Sequence, residues 1–123
     1  MTTDNFENLS VNALVDRFAA IGVEQYKASD AEEDERYKEL FYKMYDIQEE
    51  LKRRQGDERR ALIMLFDYPN MQVRLMAAQY ALAVAPQAAR RAIEAIAAST
   101  WAPQCYDARM CLHMLDEGKF IPD

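Results

Sequence analysis

The chain has few of the residues that interrupt helices. Only 3 of its 123 residues are glycine and 4 are proline, and these two residue types are the commonest markers of turns. No stretch alternates between polar and apolar residues in the way that half-buried strands do. Half of the residues are hydrophobic, and good helix formers such as alanine, leucine and methionine supply much of that half. The composition predicts an all-α protein, and the length fits a single domain over residues 1–123.

Residues that carry common site chemistry are also scarce. His113 is the only histidine, so the sequence offers neither a two-histidine metal pair nor a histidine-based triad. It contains no glycine-rich phosphate loop and no Cys-x-x-Cys pair. The two cysteines, Cys105 and Cys111, are six residues apart and would lie on different faces of one helix. We therefore expect reduced, buried and unligated thiols, no metal, no cofactor and no catalytic residue.

Positive charge and long apolar runs are limited as well. The net charge is −6, with 21 acidic against 15 basic residues, which disfavours nucleic acid as the main partner. The longest apolar stretches, at 61–66 and 80–85, fall far short of the roughly 20 residues that cross a bilayer. The first residues are polar and acidic, unlike a signal peptide. The sequence predicts a cytoplasmic protein that does not enter the membrane.

Hydrophobic periodicity and capping residues predict six helices. Ser10, Asp30, Asp57 and Asn70 are suitable N-caps. Prolines open the last two helices, and Gly56 and Gly118 follow predicted helix ends. The predicted helices span, in order, 10–28, 30–54, 57–66, 70–84, 86–100 and 103–118.

The third and fourth helices, and then the fifth and sixth, form consecutive pairs that are each roughly 30 residues long. Between the third and fourth helices the sequence is Asp-Tyr-Pro-Asn-Met-Gln-Val-Arg over 67–74, followed by Ala77, Ala78, Ala81 and Leu82. This segment resembles the turn and second helix of a HEAT repeat, in which an acidic residue and a proline precede a Val-Arg pair and an Ala-Ala-x-x-Ala-Leu stripe. The resemblance implies a short right-handed solenoid of antiparallel helix pairs, HEAT/armadillo-like.

The whole chain is similar to a small bacterial family of uncharacterised HEAT-like proteins, through the stretch 56–86 and the ending 110–118. That family carries no assigned activity. In HEAT repeats the turn acid and the arginine of the Val-Arg pair link neighbouring repeats, which implies a structural role for Asp67 and Arg74. Tyr68 stands where the family often has an acidic residue. We expect Arg74 to bind the turn through Asp67 or through a nearby backbone carbonyl.

These features favour a protein-interaction or scaffolding module without catalytic activity of its own, because stacked helix pairs present broad side-chain surfaces. A structural homo-oligomer is the first alternative, and a small enzyme with an unrecognised site is a less favoured one. The partner itself is not specified by the sequence.

A mixed face of the fourth helix is the predicted partner site. Gln72, Leu75, Gln79 and Leu82 recur there at steps of three and four residues. This face either meets the second and sixth helices or lines an open surface, and we expect any partner site to lie on it. Arg109 and His113, four residues apart on the last helix, extend this surface. Replacing Gln79 and Arg109 with alanine should leave melting nearly unchanged, since exposed substitutions usually alter stability by no more than roughly 0.5 kcal/mol, and should weaken capture of a partner.

A second surface is the alternative. Tyr42 and Tyr45 flank the main apolar stripe of the second predicted helix, and tyrosine is enriched in interfaces. Burial against the first helix is the competing interpretation of these two residues.

Overall fold

The computed structural model describes residues 6–123. Within that part of the chain every regular element is helical and no strand is present, which confirms the all-α prediction. The five α-helices are α1 (Val11–Asp30), α2 (Asp34–Arg53), α3 (Met71–Ala81), α4 (Pro86–Ala97) and α5 (Gln104–Asp116). Two 3-10 helices, Phe6–Asn8 and Glu58–Leu65, complete the set. The longer of these corresponds to the third predicted helix.

The chain divides into two compact units, the first ending at Ala61 and the second spanning Leu62–Asp123. The single domain over 1–123 stays a prediction. Among the residues described, none of the helices has both the length and the apolar character needed to span a bilayer.

The first unit is built on α1 and α2, which pack against each other. The Ser10 hydroxyl accepts a hydrogen bond from the Ala13 backbone N–H at 3.1 Å, so the predicted N-cap of α1 is confirmed. The apolar stripes of the two helices meet in a core whose largest fully buried side chains are Leu14, Phe18, Met44, Ile47 and Leu51.

The turn between α1 and α2 differs from the prediction. Asp30 is the last residue of α1, not the cap of the next helix, and α2 begins only at Asp34. The N–H of Glu33 donates to Ala28 O at 2.8 Å, and the N–H of Glu32 donates to Ser29 O at 3.1 Å. Glu32 adopts a left-handed conformation with φ of 57°. Backbone bonds of this kind close a helix C-terminus, usually with glycine at the left-handed position. Because a glutamate occupies that position here, the sequence does not indicate where the helix ends.

The second unit is built on α3, α4 and α5, with α4 packed against both of the others. Asn70 Oδ1 accepts from the N–H of Gln72 at 2.9 Å and from that of Val73 at 3.2 Å, which confirms the predicted cap of α3. Pro86 occupies the first turn of α4 as predicted. In contrast, α3 ends at Ala81, three residues before the predicted end.

The third predicted helix is a 3-10 helix and not an α-helix. Its predicted cap is confirmed, because Asp57 Oδ1 accepts a hydrogen bond from the Arg59 N–H at 3.2 Å. A 3-10 helix is narrower than an α-helix and its side chains stack at every third residue. It therefore supplies a different packing surface from the first helix of a HEAT repeat, and the solenoid arrangement stays a prediction.

Candidate partner-binding surface

The outward side of α5 carries two of the predicted site residues together with two apolar ones. Tyr106, Arg109, Met110 and His113 are all exposed and recur at helical spacing, so they lie on one face. We call these four residues the α5 outer face. The opposite side of the helix is buried and includes Cys105, Ala108 and Cys111.

The apolar part of the α5 outer face is unusually accessible. Tyr106 is 62% exposed and Met110 is 60% exposed. Trp101, which is 50% exposed, lies just before α5 in the connection from α4. Single exposed apolar residues are common on protein surfaces, but a group of them marks a candidate interaction site.

Arg109 connects this face to the end of α4. Its Nε donates to Ala97 O at 2.8 Å, and an Nη donates to Ser99 O at 3.3 Å. The guanidinium carbon also lies 5.3 Å from the centre of the Tyr106 ring, within the range of a cation–π contact. Arg109 thus satisfies carbonyls at the C-terminus of α4 and holds the Tyr106 ring. The expectation that Arg109 can be removed without a cost in stability is therefore revised.

Gln72 and Leu75 do not lie on an open surface, which corrects the sequence-based expectation for these two residues. Gln72 is 2% exposed and Leu75 is 0% exposed. Gln72 Oε1 accepts a hydrogen bond from Gln104 Nε2 at 3.0 Å, and Gln104 is itself 1% exposed. The two amides form a polar contact between α3 and α5 inside the second unit. A buried side chain cannot touch a partner, so neither residue remains in the candidate surface.

Gln79, the third predicted residue on α3, is half-buried and forms a side-chain hydrogen bond with Cys111. Burial raises the pKa of the Cys111 thiol, and the contact with Gln79 offsets part of that rise. Cys105 and Cys111 are both buried, as predicted, and both are free thiols. A protonated thiol is a weak nucleophile, so the environment of Cys111 suits packing.

Arg74 binds the turn that precedes α3. Its Nε donates to Tyr68 O, and an Nη lies 3.4 Å from Asp67 O. Both acceptors are backbone carbonyls, so the Asp67 carboxylate is not the group that holds Arg74. The contact stabilises the turn within the second unit. A link between neighbouring repeats through Asp67 and Arg74 stays a prediction.

Residues 12–116 match the model of a protein family described as a domain of unknown function, DUF2019. The chain belongs to this family. It is also similar to a solved crystal structure, that of the protein RPA1889 from Rhodopseudomonas palustris CGA009. The two are 48% identical and superpose with a TM-score of 0.95, over 98% of this chain and 100% of that one. A search of curated proteins gave no match. Membership of an uncharacterised family is thus confirmed, and its HEAT-like character stays a prediction.

In this member of the DUF2019 family, α2 carries a second exposed aromatic group. Tyr42 is 57% exposed, Tyr45 is 45% exposed and Phe41 is 41% exposed. The Phe41 and Tyr42 rings meet edge to face, with centroids 5.9 Å apart. Tyr42 and Tyr45 are therefore not buried against α1, and their role in a partner site stays a prediction.

A buried carboxylate lies on the inner side of α2. Glu50 is 5% exposed. Its oxygens accept hydrogen bonds from Arg54 and Arg53, each at 2.7 Å. These two arginines, Arg54 foremost, hold the pKa of Glu50 below its usual value. The group is a buried ion pair at the end of the helix.

Sequence reasoning missed Tyr106 and Met110, although a signal was present. Both lie at helical spacing from Arg109 and His113, which had been assigned to one surface. Projecting α5 as a helix places all four on the same face.

No group of three or more histidine, cysteine, aspartate or glutamate side chains in residues 6–123 is arranged to hold a metal ion.

Proposed function

We propose that the protein is a cytoplasmic interaction or scaffolding module without catalytic activity, and that its protein partner binds the α5 outer face. The observation that carries the proposal is the exposure of Tyr106 and Met110, at 62% and 60%, on a helix whose other side is packed. Tyrosine and methionine are enriched in the cores of protein interfaces. Burying such a pair would supply the apolar centre of a contact.

The contacts of Arg109 lower the conformational entropy cost of binding a partner at this face. Arg109 is tied to two carbonyls at the end of α4 and lies against the Tyr106 ring. Association usually costs about 0.5–1.5 kcal/mol for each flexible side chain that becomes fixed. A ring already held by Arg109 loses less freedom on binding. His113 and Arg109 supply polar groups beside the apolar pair.

Three titratable groups, Glu50, Asp57 and Cys111, support a role other than catalysis. Arginine partners lower the pKa of Glu50 and of Asp57, and this keeps both carboxylates ionised at neutral pH. General acid–base catalysis favours groups whose pKa lies near the working pH. Burial moves the pKa of Cys111 upward, which disfavours the reactive thiolate. These shifts stabilise structure and do not prepare a group for reaction.

The HEAT-like interpretation belongs to the same proposal. The segment 67–74 carries the Asp-x-Pro and Val-Arg pattern, and Arg74 binds the turn carbonyls. We propose that the helices form a short right-handed solenoid, in which exposed helix faces serve as binding surfaces.

Paired surface variants test the proposed site. The tagged chain, its Tyr106→Ser/Met110→Ser variant and its Tyr42→Ser/Tyr45→Ser variant are each used to capture partners from a lysate of the native host. The two double variants remove comparable exposed apolar area from different faces. Circular dichroism first establishes that all three chains fold.

We expect one or more proteins to be captured by the unmodified chain and by the α2 variant, and to be lost with the α5 variant. Equal capture by all three chains would reject the α5 outer face. Loss with the α2 variant alone would place the site at Phe41, Tyr42 and Tyr45.

A structural homo-oligomer is the alternative, since the same apolar pair could pack against a second copy. Sedimentation of the purified chain over a range of concentrations distinguishes the two. A monomer at all concentrations supports a separate partner, whereas a dimer that dissociates in the Tyr106→Ser/Met110→Ser variant supports self-association.

A further inference from the structure

The segment Phe6–Leu9 is attached to the first unit at a small number of points. Phe6 is 9% exposed, whereas Glu7 and Asn8 are exposed. One internal bond shapes the segment, from the Leu9 N–H to Phe6 O at 3.1 Å. The Arg17 guanidinium lies 5.8 Å from the centre of the Phe6 ring. Beyond Leu9 the chain enters the Ser10 cap and α1.

Arg54, at the C-cap of α2, binds both ends of this segment. Its Nη2 donates to Phe6 O at 3.0 Å and to Leu9 O at 2.8 Å. Its Nε donates to Glu50 Oε2 at 2.7 Å. The planar guanidinium can make these bonds at once because its donors point in fixed directions. Glu50 therefore positions Arg54 so that its Nη2 reaches the two carbonyls.

We propose that Phe6–Leu9 is a strap that the Glu50–Arg54 pair holds closed against the first unit, and that the strap opens while α1 and α2 stay folded. It is held closed by the buried Phe6 side chain, by the contact of Arg17 with the Phe6 ring and by the two bonds from Arg54. Segments with few buried contacts open at lower free energy than the core. Opening leaves the Glu50–Arg54 bond intact, so no buried charge loses its partner.

An open strap changes the chemistry of this part of the surface. The Phe6 ring becomes accessible, and Arg54 regains a guanidinium edge that is held in place by Glu50 and directed at solvent. An aromatic ring beside an oriented guanidinium is suited to a peptide segment with carbonyl acceptors. The inference is independent of the α5 outer face, which lies in the second unit.

Amide hydrogen exchange measured by NMR tests the strap directly. The Leu9 amide reports its closure, since that N–H is bonded only within the segment. The Ile47 amide, in the core of the same unit, reports unfolding of α2. In the unmodified chain we expect Leu9 to exchange at least about 100-fold faster than Ile47, as local opening requires. Equal protection of the two amides would mean that the strap opens only on unfolding, which would overturn the proposal.

Two variants and a matched control complete the test. Arg54→Lys keeps the positive charge beside Glu50 but removes the guanidinium that bonds both carbonyls of the segment. Phe6→Ala removes the buried ring. Each variant destabilises the closed state and should speed exchange at Leu9 by about tenfold, the change expected for loss of roughly one such interaction. Ile47 should accelerate by no more than the same factor, because its exchange starts from the same closed state. Arg53→Lys, which alters the other partner of Glu50, should change neither amide. No change at Leu9 in both variants, or a larger acceleration at Ile47 than at Leu9, would refute the strap.

Discussion

The two units each bury polar groups, but with different chemistry. In the first unit the carboxylate of Glu50 is paired with Arg53 and Arg54. In the second unit two neutral amides, those of Gln72 and Gln104, bond to each other. A buried charge that loses its partner costs several kcal/mol, whereas an unmatched neutral amide costs about 1–3 kcal/mol. The first unit should therefore be the more sensitive to loss of one polar side chain, and it alone should respond to acid through its buried pair.

The largest expected effect follows removal of the buried carboxylate. We expect Glu50→Ala to lower the free energy of unfolding of the first unit by about 3 kcal/mol, since it leaves Arg54 without its ionic partner. Chemical denaturation followed by NMR signals of amides in the first unit measures the change. Glu24 is the matched control, because it also pairs with an arginine, Arg36 at 2.8 Å, but in an exposed position. Glu24→Ala should cost much less than Glu50→Ala, because exposed ion pairs contribute little to stability, and a similar loss in both variants would contradict the comparison.

The dependence of stability on pH provides the second way to distinguish the two units. The pKa of Glu50 is lowered by Arg54 and Arg53, and that of Asp57 by Arg59. A lowered pKa adds stability above the pKa of the unfolded chain, and that stability is lost as the pH falls through the folded value. The ordinary pKa values from which these two shifts are measured are 4.5 for Glu50 and 3.8 for Asp57.

Stability of the first unit should therefore be constant above about pH 6 and should decline below roughly pH 4.5. Unfolding curves at a series of pH values, read from amides of each unit, measure this. The Glu50→Gln variant should have a shallower decline in the first unit. An identical pH dependence with and without Glu50 would show that the buried pair is not its source.

Changes to the Gln72–Gln104 amide pair should have a smaller effect on stability, and the effects of the two single changes should not be additive. Gln104→Leu removes the donor to Gln72 and should cost about 1.5 kcal/mol, because a buried acceptor loses this bond. The double variant Gln72→Leu/Gln104→Leu should cost less than the sum of the two single changes. Denaturation of the four chains gives the coupling energy. Strict additivity would mean that the two amides do not depend on each other.

The smallest effect is a gain in stability at the turn between α1 and α2. Glu32 has a φ of 57°, a conformation that costs a non-glycine residue about 1 kcal/mol or more. Glu32→Gly should raise the melting temperature, with a gain of about 1 kcal/mol at most, because glycine also gains freedom when unfolded. Ala31→Gly is the control, since Ala31 has a φ of −88°. It should lower stability, and a rise in both variants would exclude relief of strain as the cause.

The parts of the fold that were predicted correctly depend on short-range chemistry. Ser10, Asp57 and Asn70 cap helices because their side chains bond to N–H groups two or three residues away. Such contacts are visible in any window of a few residues. The α1–α2 turn was misplaced because its closing bonds are backbone to backbone, and the usual glycine is absent.

The parts that were missed depend on which surfaces other helices cover. Gln72 meets Gln104 across 32 positions of sequence, and no local pattern shows that these two amides face each other. The mixed face of α3 was interpreted as an exposed surface, although Gln72 and Leu75 are buried on it. Glu50 lies close to the buried stripe of α2, and its burial follows from the arginines that neutralise it.

Trp101 makes the second unit observable on its own. It is the only tryptophan in the chain, it is 50% exposed, and its backbone carbonyl accepts a hydrogen bond from the Cys105 N–H at 2.9 Å at the start of α5. Its fluorescence therefore reports the environment at the start of α5, while circular dichroism reports the helices of both units. Midpoints that differ between the two signals would resolve separate unfolding of the units. A change in the emission of Trp101 on mixing with a partner would mark occupancy next to Tyr106, with no label attached to the protein.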